Sequence, residues 1–371
     1  GLYNKIYSEW ALVGGGGYNK VYGDWGSVAG GYGNIAYYGD SAVHGGSQNY
    51  VIGYVFCIVI LRATAPMHDL TTLCVRILLL FFLFFFYFTK TNIYGYASTI
   101  AGGQDNTIYD PYAVILGGDT NVCSSDYGVI AGGSSNYATG YATVVGGGDN
   151  NSVYASYATI VVGASNRAYA YASVIGGGYN NAIYAAYGVI SGGVANRATG
   201  SAAYQTIGGG YGNYVYSYGS TIGGGYQNVI FGYAAVVVGG SLNTIVADYG
   251  SVGGGSNNRV GGDYSSVGGG NGNTVLAEGA TIGGGDTVLV PAESEYAYVG
   301  LATNSIVSGY AATVVGGEDH SMLDSNDYGT IGGGKNSTLL HGIEHGTILG
   351  GQNAVLGESP FLWSPVAAAR I

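Results

Sequence analysis

Charge is what this chain has least of. Asp, Glu, Lys and Arg make up 8% of its 371 residues, and only ten of them are Lys or Arg. The net charge is −11, with no basic stripe to meet phosphates, so no nucleic acid partner is expected. Cysteine is scarce too: Cys57, Cys74 and Cys123 give no disulfide framework. Glycine is abundant, 72 residues, but no Gly-X-Y period accompanies it, which excludes collagen. Hydrophobic residues reach 47%, so the low hydrophobicity of disordered chains is missing as well. The start, Gly-Leu-Tyr-Asn, carries no Met and no secretory signal, and reads as a fragment or processed product.

What is present is an asparagine every fifteenth residue. It runs through Asn4, Asn19, Asn34 and Asn49, then Asn106, Asn121, Asn136, Asn151, Asn166, Asn181 and Asn196, then Asn213, Asn228, Asn243, Asn258 and Asn273. Most follow a glycine pair, as Gly-Gly-x-x-Asn. A fixed period this short means one coil repeated many times, a solenoid rather than a globular enzyme domain.

Counting places after the asparagine reads one coil. Place two is apolar (Val153, Ile183, Val215, Ile245), and place nine is Ile or Val (Ile160, Ile190, Ile222, Val252). Place seven is small (Ala113, Ala158, Gly188, Gly250). Place eight mixes Val and Ser with Thr99, Thr159, Thr206, Thr221 and Thr281. Such alternation predicts strands with one buried face, places two, seven and nine inward and place eight outward. The expected fold is all-β, a parallel β-solenoid of two short strands per coil, left-handed, with a right-handed β-helix as the alternative. Gly-Gly-x-x-Asn is expected to be a turn in which Gly and Asn take positive φ. The asparagines are expected to bond to one another or to turn backbone.

Tyrosine, 37 residues in all, forms two further columns. One lies three places after the asparagine: Tyr109, Tyr154, Tyr169, Tyr184 and Tyr216. The other lies near place six: Tyr127, Tyr157, Tyr187, Tyr249 and Tyr264, with Trp10 and Trp25 earlier. Rows of aromatics stack along a solenoid. They serve as ladder stabilisation, or as an adhesive, glycan-stacking or oxidatively cross-linkable stripe.

The period breaks between Asn49 and Asn106. Deleting residues 54–95 restores it, which divides the chain into repeats at 1–53, a hydrophobic insertion at 54–95, repeats at 96–357 and a tail or cap at 358–371. The insertion ends in the apolar run Ile77 to Phe88, shorter than the roughly 20 residues of a spanning helix. It reads foremost as a translated intron, with an inserted hairpin or helix and a transmembrane helix as alternatives. Membrane contact is expected only if the segment is genuine. A smaller irregularity at 286–303 reads as a loop extruded from one coil, after which spacing loosens through His320, Asn336 and Asn353.

No catalytic constellation emerges, and no cofactor or metal is expected. His341-Gly-Ile-Glu344-His345 matches a zinc peptidase string but lies in a β-coil instead of a helix. Gly329 to Asn336 nearly spells a phosphate loop but lacks the final Ser or Thr. Asp105, Asp119, Asp149, Asp286 and Asp319 follow glycines without forming the full column of a calcium roll. Asn150-Asn-Ser152 and Asn336-Ser-Thr338 fit the glycosylation sequon.

The strings Ala138-Thr-Gly-Tyr-Ala-Thr-Val-Val-Gly-Gly147 and Ala198-Thr-Gly-Ser-Ala202 resemble the head repeats of trimeric autotransporter adhesins, the YadA-like type. That resemblance implies a left-handed parallel β-roll, trimerisation, and binding to host surfaces or matrix. The chain departs from it in its period of 15 against a favoured 14, its stronger Gly-Gly-x-x-Asn motif and its far richer tyrosine. The expected function is an extracellular or cell-surface structural and adhesive protein, partnered with itself as a trimer or fibre, or with surface glycan or matrix. Ice binding through place-eight threonines and a polysaccharide-active β-helix are the alternatives.

Overall fold

The computed structural model describes residues 3–24, 26–37, 91–95, 97–200, 202–323 and 326–357, together with the strand backbone at 42–43 and 50–51. Trp25, Asn49, residues 54–90 and the tail 358–371 lie outside the described residues, and so do the readings placed on them. The fold is all-β, a parallel β-solenoid of about 20 turns. Contacts divide it into two units, Gly1–Gly178 and Tyr179–Ile371.

Within the first unit the coil of Asn151 is representative. Its strands are Ser152–Val153 and Thr159–Ile160, two residues each. Each pairs in parallel with the same places of the next coil, Val153 with Ala168 and Ile160 with Ile175. The second unit repeats this, Ile245 pairing with Val260 and Val252 with Val267. Register is pinned because places two and nine are buried on the described coils between the first and the last; a slip by one residue would turn them to solvent. Each buried Ile or Val contributes about 1.5–3 kcal/mol. Place seven is small because it faces the same thin interior: a Cβ on Gly188 would stand 2.7 Å from Ile183 Cγ2. A third line of contact runs through place thirteen as single bridges, Asp119 to Ser134 to Asp149. Its residues vary too much in type for the sequence to reveal it.

Three expectations are corrected. First, the described column asparagines do not take positive φ. The residue before each does, as at Asp105 (+52°), Ser135 (+56°) and Asn180 (+56°), along with the second glycine of the pair. Second, residues 286–303 are not an extruded loop. Thr281–Asp286 pairs with Tyr298–Thr303, and Leu289–Val290 pairs with Thr274–Val275. Val288 holds the asparagine's place, its N–H donating to Asn273 Oδ1 at 3.0 Å. The coil is merely two residues longer in one turn. Third, Asn336 and Asn353 are not column members. Ser337 is, its N–H meeting His320 Nδ1 at 3.4 Å, while Asn336 and Asn353 sit one place earlier with positive φ.

The solenoid also resumes before residue 96. Asn92–Ile93 pairs with Tyr50–Val51 on one side and Thr107–Ile108 on the other. Thr91 takes the column place, and an asparagine count passes over it because Thr has no carboxamide.

Candidate functional site

The asparagine ladder is interior. Asn106, Asn121, Asn136, Asn151, Asn166, Asn181, Asn196, Asn213, Asn228, Asn243, Asn258 and Asn273 are all buried. Asn136 shows the pattern: its backbone N–H and its Nδ2 donate to Asn121 Oδ1 at 3.0 and 3.1 Å, and Nδ2 also reaches the carbonyls of Gly132 and Gly148. Asn258 repeats it on Asn243, Gly254 and Gly270. The ladder satisfies turn backbone that would otherwise be buried unpaired. It presents nothing to a partner.

The opposite turn is different. Places four to seven form a tight turn closed by the place-seven N–H on the place-four carbonyl, Gly128 on Ser125 at 2.9 Å and Gly188 on Ala185 at 3.0 Å. Its third residue lies in the left-handed region, where such a turn ordinarily carries glycine. Here it is tyrosine: Tyr112, Tyr127, Tyr157, Tyr187, Tyr204, Tyr249 and Tyr264 have φ of +56° to +62°. That conformation costs an L-residue roughly 1–2 kcal/mol. Some coils place the tyrosine one position earlier and follow it with Ala or Gly, as Tyr141-Ala142, Tyr171-Ala172, Tyr218-Gly219 and Tyr233-Ala234.

Both arrangements deliver the ring to one surface row. In the first unit Tyr112, Tyr127, Tyr141, Tyr157 and Tyr171 follow at centroid spacings of 4.8, 5.4, 5.5 and 5.4 Å. In the second, Tyr187, Tyr204, Tyr218, Tyr233, Tyr249 and Tyr264 follow at 5.1, 5.5, 5.4, 5.5 and 4.9 Å. Gly279 then interrupts the row. It continues as Tyr296, Tyr310, Tyr328 and His345, the last stacked on Tyr328 at 4.9 Å. So His345 of the zinc-like string occupies a row position. Sequence reading found Tyr127, Tyr157, Tyr187, Tyr249 and Tyr264, but missed their partners because the ring alternates between two places and four coils are longer. A Tyr-Ala or Tyr-Gly pair beside a lone Tyr was the available signal.

Three carboxylates beside the row accept backbone N–H groups of these turns. Asp248 Oδ1 accepts the Tyr233 N–H at 2.8 Å, Asp263 Oδ1 accepts that of Asp248 at 2.9 Å, and Asp327 Oδ1 that of Tyr310 at 2.9 Å. The Tyr249 phenol is pushed above its ordinary value, first by desolvation and then by Tyr233, Tyr264 and Asp248.

The place-three column is broken. Tyr109 stacks on Tyr94 at 5.3 Å, Tyr154 on Tyr169 at 4.8 Å and Tyr216 on Phe231 at 4.7 Å, and Tyr184 is exposed at the same place. Ser124 and Thr139 interrupt it, and past Phe231 the place passes to Val246 and Gly261. The threonine column is broken as well. Thr99 neighbours Val114, Thr159 lies between Val144 and Val174, and Thr281 between Ser266 and Tyr298. Only Thr206 and Thr221 of the named five are adjacent. On that face a shallow depression of about 300 Å³ runs over Ser251, Ser266 and Thr281 beside Gly253, Gly268 and Gly283, and its lining holds no carboxylate or imidazole.

Asn150 and Asn336, the sequon residues, are both exposed. Cys123 is buried at place two, its thiol pushed up to about 11 mainly by desolvation. Among the described residues no helix is long and apolar enough to cross a membrane. Compared with family models and with curated proteins, the chain matches none.

Proposed function

We propose that the chain is an extracellular or cell-surface structural protein that adheres to glycan or matrix through its tyrosine row. One observation carries the reading: in nine of the described coils tyrosine occupies a left-handed turn position that glycine would fill without strain. Ring stacking returns about 0.5–1.5 kcal/mol per pair and offsets much of that cost. Stability alone is therefore a weak reason for the row. Half-exposed aromatic faces and phenol hydroxyls suit stacking on sugar rings or on matrix side chains. Self-association into a trimer or fibre belongs to the same reading, on the strength of the resemblance to adhesin heads.

The test replaces Tyr187, Tyr204, Tyr249 and Tyr264 with Gly, and Tyr218 and Tyr233 with Ala, and measures retention on polysaccharide- and matrix-coated surfaces. Retention should fall while the fold persists. Undiminished retention would remove the row from function. The ice-binding alternative is disfavoured by breaks in the threonine column: Val144 and Val174 flank Thr159, Ser266 and Tyr298 flank Thr281, and the longest described run is Thr313, Thr330 and Thr347.

A further inference from the structure

We propose that the tyrosine row of the second unit is a site of oxidative cross-linking between copies of this chain, with Tyr264 as the coupling residue. Six phenols stand in continuous succession from Tyr187 to Tyr264, each ring 4.9–5.5 Å from the next. That contact is close enough for a phenoxyl radical formed on one ring to be refilled by its neighbour. The electron and the phenolic proton pass together, and the vacancy moves along the row.

Two features send it to Tyr264. This ring is the most exposed of the six, at 62% against 40–51% for the others. It also ends the run, since the next coil carries Gly279 at that place. Coupling between the stacked rings of the row, including Tyr264 and its row neighbour Tyr249, is disfavoured by geometry. Tyr218 and Tyr233 lie within 3° of parallel, and Tyr249 and Tyr264 within 6°, so their ortho carbons face ring planes instead of meeting edge to edge. A bond between ortho carbons therefore forms more readily with a second copy. Among the described residues the competing sulfur groups, Cys123 and Met322, are both buried.

The oxidant is a haem peroxidase supplied with hydrogen peroxide. Two phenols, one on each copy, each lose one electron and one proton. The peroxide takes both electrons and both protons and leaves as two waters. The two phenoxyl radicals join through a carbon–carbon bond between ortho positions. Each ortho hydrogen then moves to its phenol oxygen, restoring both aromatic rings.

The proposal shares the row with the adhesive reading, but its test runs in solution without any surface, so the two fail separately. The chain is treated with peroxidase and hydrogen peroxide. Covalent dimer is quantified by denaturing electrophoresis, and dityrosine is mapped by peptide mass spectrometry. Coupling should concentrate at Tyr264. Tyr264→Phe, which keeps the ring and its stack, should lower dimer yield several-fold. Tyr249→Phe, which leaves Tyr264 in place but removes its donor phenol, should also lower it. Tyr226→Phe, outside the row, should leave it unchanged. Dityrosine spread over exposed tyrosines in proportion to their exposure, or an undiminished yield from Tyr264→Phe, would overturn the proposal.

Discussion

Asn136 Oδ1 accepts two hydrogen bonds from Asn151, one from the backbone N–H at 3.0 Å and one from the side-chain amide at 3.1 Å. Asn151 Nδ2 reaches the carbonyls of Gly147 and Gly163 as well. Its truncation would strand several buried groups at once, each worth about 1–3 kcal/mol when unpaired. Asn151→Ala should therefore destabilise the first unit by about 3 kcal/mol in urea denaturation. Its neighbour Asn150 is exposed with φ +52°. Asn150→Gly should be neutral or stabilising by up to about 1 kcal/mol, because glycine adopts that conformation freely. Equal losses at the two positions would refute the register of the ladder.

The glycine pair is asymmetric. At Gly118, with φ +97°, a Cβ would stand 2.1 Å from the Gly133 carbonyl oxygen, whereas at Gly117 nothing lies within 4 Å. Gly118→Ala should cost more than about 2 kcal/mol through backbone strain and displacement of the next coil. Gly117→Ala should fall within about 0.5 kcal/mol of the parent. Thermal melting of the two variants separates them. Val162 already fills the first glycine's place in its own coil, while Gly163 keeps the second.

Most of the fold was legible because burial writes a period into the sequence. Val153 and Ile160 must recur wherever a coil closes on the same thin core, and so must the amide that caps each turn. What escaped reading were contacts that backbone makes without a preferred residue type. The bridges through Asp119, Ser134 and Asp149 are one case. Val288 in the asparagine's place is another: it keeps the N–H bond to Asn273 but contributes no amide. The tyrosine row was half visible. Tyr141 and Tyr157 occupy different places in their coils, and only the turn's two alternative shapes bring their rings 5.5 Å apart.

Tyr157 measures what the row costs. Its φ is +60°, and its ring lies 5.5 Å from Tyr141 and 5.4 Å from Tyr171. Tyr157→Ala keeps the strained backbone and loses both ring contacts, so a loss of about 1–2 kcal/mol is expected. Tyr157→Gly loses the same contacts but relieves the strain, so its stability should lie close to the parent, within about 1 kcal/mol. A urea titration decides between them. If Gly proved as costly as Ala, the left-handed strain would not be what sets the row's energy.

His320 replaces asparagine in the column and makes the second unit sensitive to pH. It is buried; Nε2 lies 3.0 Å from the Gly316 carbonyl and donates to it, and Nδ1 accepts from the Ser337 N–H. The bond at Nδ1 requires the neutral ring, because a proton there would face the Ser337 N–H. Desolvation lowers its pKa from 6.5, against smaller opposing effects of the Gly316 bond and of Asp319. The folded state thus binds a proton less readily than the unfolded state. Its contribution to stability is complete above the unfolded value and is lost as pH falls through the lowered folded one. Urea midpoints of the second unit should therefore drop between neutral pH and about pH 5. His320→Asn should flatten that dependence, since a carboxamide neither titrates nor loses its acceptor. A midpoint equally pH-dependent in His320→Asn would assign the effect to other groups.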